Sequence, residues 1–189
     1  MAGKLTQRGI ERAAAFIGCT VRAMHAVIAV EAAGDGFLAD GRPKILFERH
    51  KFYALCDQAR AQEWSRTVPD ICNPKSGGYV GNEGEYPRLY RALQLDADAA
   101  IESASWGIGQ IMGFNWRLAG ERSLHGFVLA MHNDEDTQLM LMANTIRGLG
   151  ASDELCRLDW AGFARIYNGS GYARNKYDTK LAAAYARAK

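Results

Sequence analysis

The stretch that decides the fold of this chain runs from His25 to Tyr53 and reads HAVIAVEAAGDGFLADGRPKILFERHKFY. An apolar segment with helical spacing carries one carboxylate, Glu31, near its C-terminal end. A Gly-rich turn follows, and a short apolar run then leads to Glu48, with Asp40 in the turn between the two glutamates. The stretch therefore predicts a helix that ends at a carboxylate, beside a small β-hairpin.

The three carboxylates of this stretch suit the chemistry that breaks a glycosidic bond. One carboxyl group must keep its proton near neutral pH, and burial in an apolar setting raises the pKa of such a group. A second carboxylate must stay ionised to activate water or to support the developing cation. Met24, Val27 and Glu31 share one helix face, so Glu31 points toward the core and is the candidate acid. The alternative is a helix-end glutamate that extends into water.

The composition is that of an ordinary globular protein. The chain has 189 residues, of which 48% are apolar and 23% charged, and this size suits one domain with its own core. A net charge of +2 without a Lys/Arg block does not indicate nucleic acid as a partner. The longest apolar stretch, residues 23–33, is too short to span a membrane. The four cysteines include no CxxC pair, which favours reduced thiols over a zinc site.

Hydrophobic periodicity predicts an α+β fold that is predominantly helical, with one small hairpin after the helix of Glu31. The hairpin strands are residues 37–38 and 44–48, and residues 67–85, rich in Gly, Pro, Asn and Ser, form a long loop. Thr20, Ser123 and Asp134 are predicted helix N-caps. The predicted helices are residues 5–17, 21–33, 49–61, 87–93, 96–104, 108–118, 124–132, 135–148, 160–167 and 175–188.

Two further motifs carry side chains suited to binding a sugar. Residues 103–116 read SASWGIGQIMGFNW, in which Gln110 offers an amide donor and acceptor and Trp106 a flat aromatic face. Residues 166–172 read IYNGSGY, which places Tyr167 and Asn168 at a turn between two helices. The alternatives are a Gly-rich crossing of two helices at the first motif and an ordinary helix C-cap at the second.

Four motifs in this order resemble the N-acetylmuramidase domain of phage and prophage endolysins: VEAAGDGF, DGRPKILFERHKFY, SWGIGQIMGFN and YNGSGYA. The resemblance covers roughly residues 15–188, and it extends more loosely to goose-type lysozymes and lytic transglycosylases. It implies a lysozyme-like fold and cleavage of the β-1,4 bond after N-acetylmuramic acid in peptidoglycan. In that superfamily the glutamate at the helix end is the general acid, which here is Glu31. The chain departs from the goose-type and transglycosylase pattern at Ala32, where those enzymes usually have Ser.

The second carboxylate is open between Asp40 and Glu48. Asp40 lies in the turn nine residues after Glu31, as in phage-type lysozymes, and is preferred as the base that holds a water. Glu48 could face the cleft or brace the hairpin. A separation of about 6.5–9.5 Å from Glu31 predicts inversion and about 5–5.5 Å retention.

The resemblance also implies how the protein meets its substrate. Gln110, Tyr167 and Asn168 would hold the N-acetyl and hydroxyl groups of the sugar, and neither a metal nor an organic cofactor is needed. Residues 1–189 are expected to form one catalytic domain without a separate wall-binding domain, active as a monomer on peptidoglycan.

The N-terminus has no apolar segment of a secretory signal, so the protein is expected to be made in the host cytoplasm. It would then reach the periplasmic wall after release, with the help of a holin. Three alternative functions stay open, and one of them is a structural protein of a phage tail or secretion apparatus that uses a muramidase to penetrate the wall. In a lytic transglycosylase, Glu31 would serve as acid and base while the 6-hydroxyl of the sugar attacks; a non-catalytic wall-binding module would keep the cleft without the chemistry.

Overall fold

Helices surround one small antiparallel sheet in the computed structural model, which describes residues 3–32 and 34–188. The strands are β1 (Ile45–Phe47), β2 (Ala104–Trp106) and β3 (Ile111–Met112). In the described part of the chain the α-helices are α1 (Gln7–Ile17), α2 (Val21–Glu31), α3 (Arg49–Leu55), α4 (Gln58–Thr67), α5 (Glu85–Leu95), α6 (Ala97–Glu102), α7 (Leu124–Met131), α8 (Glu135–Gly148), α9 (Ser152–Cys156), α10 (Trp160–Asn168) and α11 (Tyr177–Arg187). The predicted α+β fold with mostly helix is confirmed.

Side-chain caps set the start of several helices, as the sequence predicts. The Thr20 hydroxyl accepts a hydrogen bond from the Ala23 N–H at 3.1 Å and begins α2. Ser123 and Asp134 cap α7 and α8 in the same way, and α8 has the predicted bounds. The described part of α2 ends at Glu31, and the predicted end of this helix at residue 33 lies outside the described residues.

Two of the predicted helices are wrong. Residues 49–61 form parts of two helices, α3 and α4, because the Asp57 carboxylate caps a new helix by accepting from the Arg60 N–H at 3.1 Å. Residues 108–118 are not an α-helix but contain β3 and a 3₁₀ turn. Positive φ angles of 66° at Gly107 and 45° at Gln110 form a tight turn there, which an α-helix does not allow.

Strand β2 is the centre of the sheet and pairs antiparallel with both β1 and β3. The predicted hairpin after α2 is a tight turn that holds one β-bridge, between Phe37 and Pro43. Hydrogen bonds from the Leu38 N–H to the Arg42 carbonyl and from the Lys44 N–H to the Gly36 carbonyl flank this bridge, and from Ile45 onward the strand pairs with β2 instead. The strand that leads to Glu48 is therefore fixed by a segment far along the chain.

Two buried side chains of α8, Glu135 and Gln138, form hydrogen bonds with backbone groups of segments that are distant in the sequence. Glu135 is 3% exposed and accepts hydrogen bonds from the backbone N–H groups of Leu5 and Gly36, each at 2.8 Å. Gln138 is fully buried, and its carbonyl oxygen accepts from the Ile108 N–H at 2.7 Å. Through these bonds α8 fixes the chain just after α2 and the turn between β2 and β3.

A buried ion pair fixes the other side. Glu85 and Arg88 of α5 approach to 2.6 Å, and Glu85 also accepts from the N–H groups of Phe47, Val80 and Gly81. Burial by itself raises the pKa of Glu85, but the backbone donors and the Arg88 guanidinium outweigh it and hold the pKa below its ordinary value. Strand β1 and the end of the loop before α5 are thereby tied to one carboxylate.

No single helix in the described residues is long and apolar enough to cross a membrane; α1 and α2 pass that test only as a pair, across a bend of 108°. The cysteines are free thiols. The pKa of Cys56 is raised to about 12, mainly because the thiol is buried. Over residues 3–32 and 34–188, no three His, Cys, Asp or Glu side chains are grouped so that they could hold a metal. The organisation of residues 1–189 as one catalytic domain stays a prediction.

Gly113 offers a test of the close backbone packing around the sheet. A Cβ atom added there would lie 2.0 Å from the carbonyl oxygen of Ile101 and 2.8 Å from the Cα of Glu102, and backbone atoms cannot swing aside. We expect Gly113→Ala to lower the free energy of unfolding by about 1–3 kcal/mol. Thermal unfolding followed by circular dichroism measures the loss. Gly171→Ala is the control, because nothing lies within 4 Å of its added Cβ; equal losses in the two variants would contradict the argument.

Candidate active site

A cleft of about 480 Å³ opens where the end of α2 meets the sheet, α8 and the start of α11. It brings together five of the seven predicted site residues. The residues that line the cleft are Glu31, Leu46, Glu48, Ser105, Gly109, Gln110, Ile111, Met112, Asn115, Thr145, Leu149, Tyr167, Asn168 and Tyr177.

Glu31 is the last residue of α2, and its carboxylate is partly buried in the cleft. The side-chain amide of Asn168 donates to both carboxylate oxygens, at 3.1 and 3.2 Å. Burial raises the pKa of Glu31 above its ordinary value, and the bond from Asn168 and the positive charge of Lys180 reduce this rise without cancelling it. The negative end of the helix dipole acts in the same direction as burial. Glu31 therefore holds its proton to a higher pH than an exposed glutamate.

Asn168 and Tyr167 end α10 against Glu31. The Tyr167 ring stacks on Phe163 at 5.5 Å, and burial, together with the charge of Glu31, raises the pKa of its hydroxyl far above the ordinary range. Tyr167 therefore stays a neutral hydroxyl that can donate. The Oδ1 atom of Asn168 is buried and has no hydrogen-bond partner among the described residues, so the role of this side chain in the site is the donation to Glu31.

Gln110 faces the cleft from the turn between β2 and β3. Its Oε1 atom accepts from the Ser105 hydroxyl at 2.8 Å, and its Nε2 atom donates to the Gly107 carbonyl at 2.9 Å. These bonds fix the amide and leave it one N–H and one lone pair for a ligand. The positive φ of Gln110 lies in a region that non-glycine residues seldom adopt, which is typical of residues placed for function.

Glu48 follows β1 and also lines the cleft, with its side chain 18% exposed. Its Oε2 atom accepts from the Tyr79 hydroxyl at 2.6 Å and lies 3.1 Å from the Nδ1 atom of His50. Partial burial and the bond to Glu48 raise the pKa of Tyr79 to about 12, so this hydroxyl remains a donor. Tyr79 is a site residue that was not predicted from the sequence; the available signal was an aromatic residue between glycines in the long loop.

Arg49 is one of the side chains that hold the loop carrying Tyr79, together with Glu85 and Arg88. The guanidinium of Arg49 donates to the backbone carbonyls of Pro69, Lys75 and Ser76 at 3.0–3.2 Å. Residues 68–81 contain no helix or strand, in agreement with the predicted loop, and these bonds take the place of regular pairing. Tyr79 is thus presented to Glu48 by a fixed loop.

The structure does not bring Asp40 or Trp106 into this cleft. The Asp40 carboxylate accepts from the Nε atom of Arg42 at 2.8 Å in the exposed turn and lines a separate hollow, and the bond to Arg42 lowers its pKa. Trp106 is 2% exposed, donates to the Ile101 carbonyl at 3.1 Å and packs edge-on against Phe127. Its ring face belongs to the core, because β2 is the buried central strand.

A glutamate with a raised pKa that shares a cleft with a second carboxylate, on this helical fold, is the arrangement expected of a lysozyme-like glycosidase. The family model for N-acetylmuramidase matches residues 20–189, and the chain belongs to this family. A crystal structure of the Burkholderia AP3 phage endolysin matches with a TM-score of 0.89 and 40% identity, over 97% of this chain and 71% of that chain. No curated protein matches the chain. The predicted family and fold are confirmed, as is a glycoside hydrolase that cleaves peptidoglycan.

Removal of the Asn168 amide tests the balance that sets the proton affinity of Glu31. We expect Asn168→Ala to raise the pKa of Glu31, because the amide stabilises the ionised form. A general acid acts when protonated, so the alkaline limb of the pH–kcat/KM profile should move to higher pH, along with a lower rate. The exposed Asn133→Ala is the control and should keep the wild-type profile. A limb that stays in place or moves to lower pH in Asn168→Ala would contradict the argument.

Proposed function

We propose that this N-acetylmuramidase is an endolysin that cleaves the bond between N-acetylmuramic acid and N-acetylglucosamine, with Glu31 as the general acid. The observation that carries the proposal is Glu31 itself, partly buried at a helix end, with a raised pKa and both oxygens held by Asn168. The 40% identity with a phage endolysin over nearly the whole chain supports a lytic role on the bacterial wall.

In the proposed reaction Glu31 gives its proton to the glycosidic oxygen as the bond to the anomeric carbon breaks. A second carboxylate then takes a proton from the attacking water or supports the cation. We propose Glu48 for this role in place of Asp40. Glu48 shares the cleft with Glu31 and is fixed by Tyr79, whereas Asp40 is bound by Arg42 in a separate hollow.

The sugar next to Glu31 would be held by amides and a hydroxyl. The remaining donor of Gln110 suits a carbonyl or hydroxyl oxygen, and its remaining lone pair suits an acetamido N–H. Asn168 lines the same cleft and holds Glu31 in place. Tyr167 adds a neutral hydroxyl in the same cleft. Trp106 is left out of the proposed binding set because its ring is buried.

We further propose that the enzyme acts as a monomer on the periplasmic wall after a holin releases it from the cytoplasm. Gel filtration of the purified protein tests the first part, and elution as a dimer would contradict it. Co-expression with and without a holin, followed by the optical density of the culture, tests the second part.

Glu31→Gln tests the general acid with a side chain of nearly the same shape. The amide cannot donate the acid proton, so we expect release of soluble muropeptides from purified peptidoglycan to fall by about 10²–10⁴-fold. Circular dichroism should show an unchanged fold. Mass spectrometry of the wild-type products should find reducing N-acetylmuramic acid ends. Products with 1,6-anhydro ends would indicate a transglycosylase instead, and a variant as active as the wild type would exclude Glu31 as the acid.

A matched pair of carboxylate-to-amide changes separates the two candidates for the second carboxylate. Glu48→Gln should lower kcat by about 10²-fold or more, because the cleft loses its base. Asp40→Asn should stay within about threefold of the wild type, because an exposed ion pair contributes little. The measurement is turbidity loss of a peptidoglycan suspension at matched protein concentration. The reverse order of the two effects would return the role to Asp40.

A further inference from the structure

A second concave surface lies between α2 and α11, beside the catalytic cleft. It consists of two adjoining hollows, of about 380 and 510 Å³, which share Ala29, Ala184 and Arg187 and so form one groove. We refer to it as the α2–α11 groove. Small side chains form much of its lining, while longer basic side chains of α11 project from the same face. The other lining residues are His25, Val30, Lys176, Thr179, Lys180, Ala183 and Ala188.

All ionisable side chains that line the groove are basic: His25, Lys176, Lys180 and Arg187. Within the described residues, none of the three lysine and arginine side chains lies within 4.0 Å of a carboxylate in an ion pair. The whole protein has a net charge of only +2, so this is a local concentration of unpaired positive charge. Such a groove attracts an anionic ligand.

The groove and the catalytic cleft lie side by side along α2 and α11, although they share no lining residue among those described. Val30 lines the groove and Glu31, the next residue, lines the cleft. On α11, Lys176 and Lys180 line the groove while Tyr177 lines the cleft. Lys180, which lines the groove, is also close enough to Glu31 for its charge to lower the pKa of that carboxyl. A substrate held at Glu31 can therefore extend into the groove.

We propose that the α2–α11 groove binds the stem peptide of the muramyl residue whose sugar lies in the cleft. This inference rests on the proposed function. The stem peptide leaves the lactyl group of N-acetylmuramic acid and carries free carboxylates and small alanine side chains. Unpaired Lys176 and Arg187 match the carboxylates, and the alanine-lined surface fits the small side chains. The enzyme would then prefer glycan strands that bear peptides to strands without them.

An anionic lipid surface would also attract these cations, but the geometry favours the peptide. The site is concave, whereas a helix that binds a membrane needs an outward apolar face. Among the described residues, none of the large apolar side chains that are exposed lines the groove. The small alanine side chains offer room for a narrow chain instead.

The test compares peptide-bearing peptidoglycan with glycan strands from which an amidase has removed the peptides. The double variant Lys176→Gln/Arg187→Gln removes two groove charges and spares Lys180, which acts on Glu31. We expect the ratio of kcat/KM on peptide-bearing over peptide-free strands to fall about three- to tenfold, as two solvent-screened charge contacts are lost. The control, Arg8→Gln/Arg12→Gln on the exposed face of α1, makes the same charge change and should leave the ratio as in the wild type.

Three outcomes have distinct meanings. An equal loss on both polymers, or no loss, overturns the proposal. Reduced sedimentation of the double variant with phosphatidylglycerol–phosphatidylethanolamine vesicles, at an unchanged ratio, also overturns it and indicates a lipid ligand. The same two charge changes placed in the Glu31→Gln protein allow binding to be measured without cleavage. A selective loss of binding to peptide-bearing wall would support the proposal that the groove binds the stem peptide, even if the wild type cleaved neither polymer. This binding assay therefore tests the groove independently of the proposed catalytic function.

Discussion

The buried ion pair between Glu85 and Arg88 is the interaction on which one side of the active site depends. Two charges removed from water are stable only if the protein replaces the lost hydrogen bonds. Glu85 accepts from three backbone N–H groups, and Arg88 donates to the carbonyls of Phe47 and Asp70. The two segments that meet at Glu48 are both held in this way. Phe47, the residue before Glu48, donates to Glu85, and the loop that carries Tyr79 ends with two N–H groups that donate to the same Glu85 carboxylate. Loss of one partner of such a pair costs about 3–5 kcal/mol.

The opposite side of the cleft is fixed by α8. Glu135 and Gln138 bind backbone groups just after α2 and in the turn before Gln110. Without these bonds the segment after Glu31 would be a loop with unpaired polar groups in the core, which is costly. The cleft therefore lies between two parts of the structure that are fixed separately, one by Glu85 with Arg88 and the other by Glu135 with Gln138. These four side chains bind groups within the protein rather than the substrate.

The two cleft glutamates differ because their surroundings differ. Glu31 is partly buried, and burial raises its pKa in spite of the amide donated by Asn168, which suits an acid. Glu48 accepts from the Tyr79 hydroxyl and lies 3.1 Å from the Nδ1 atom of His50. Two carboxyl groups in different environments are what acid–base cleavage of a glycosidic bond requires. The adjoining basic groove extends this site from the sugar to the anionic peptide that distinguishes a bacterial wall from other glycans.

The sequence by itself determined the features that depend on local physics. The apolar face of α2 and the cap at Thr20 predict a helix that carries Glu31 at its end, and the predicted bounds of α8 need only its periodicity and its cap at Asp134. The motifs were sufficient to predict the family, because residue identity at fixed spacing is a property of the chain alone.

Only the tertiary structure decided what depends on distant segments. The central position of β2 in the sheet buried the ring of Trp106, and the pairing of β2 with β3 made strand and turn of residues that were predicted as a helix, 108–118. The Arg42 side chain bound Asp40 away from the cleft, while a remote loop brought Tyr79 to Glu48. Periodicity reports which face of an element is apolar, but not which element covers it. Strand pairing, burial and the partners of each carboxylate are set by contacts between residues far apart in sequence.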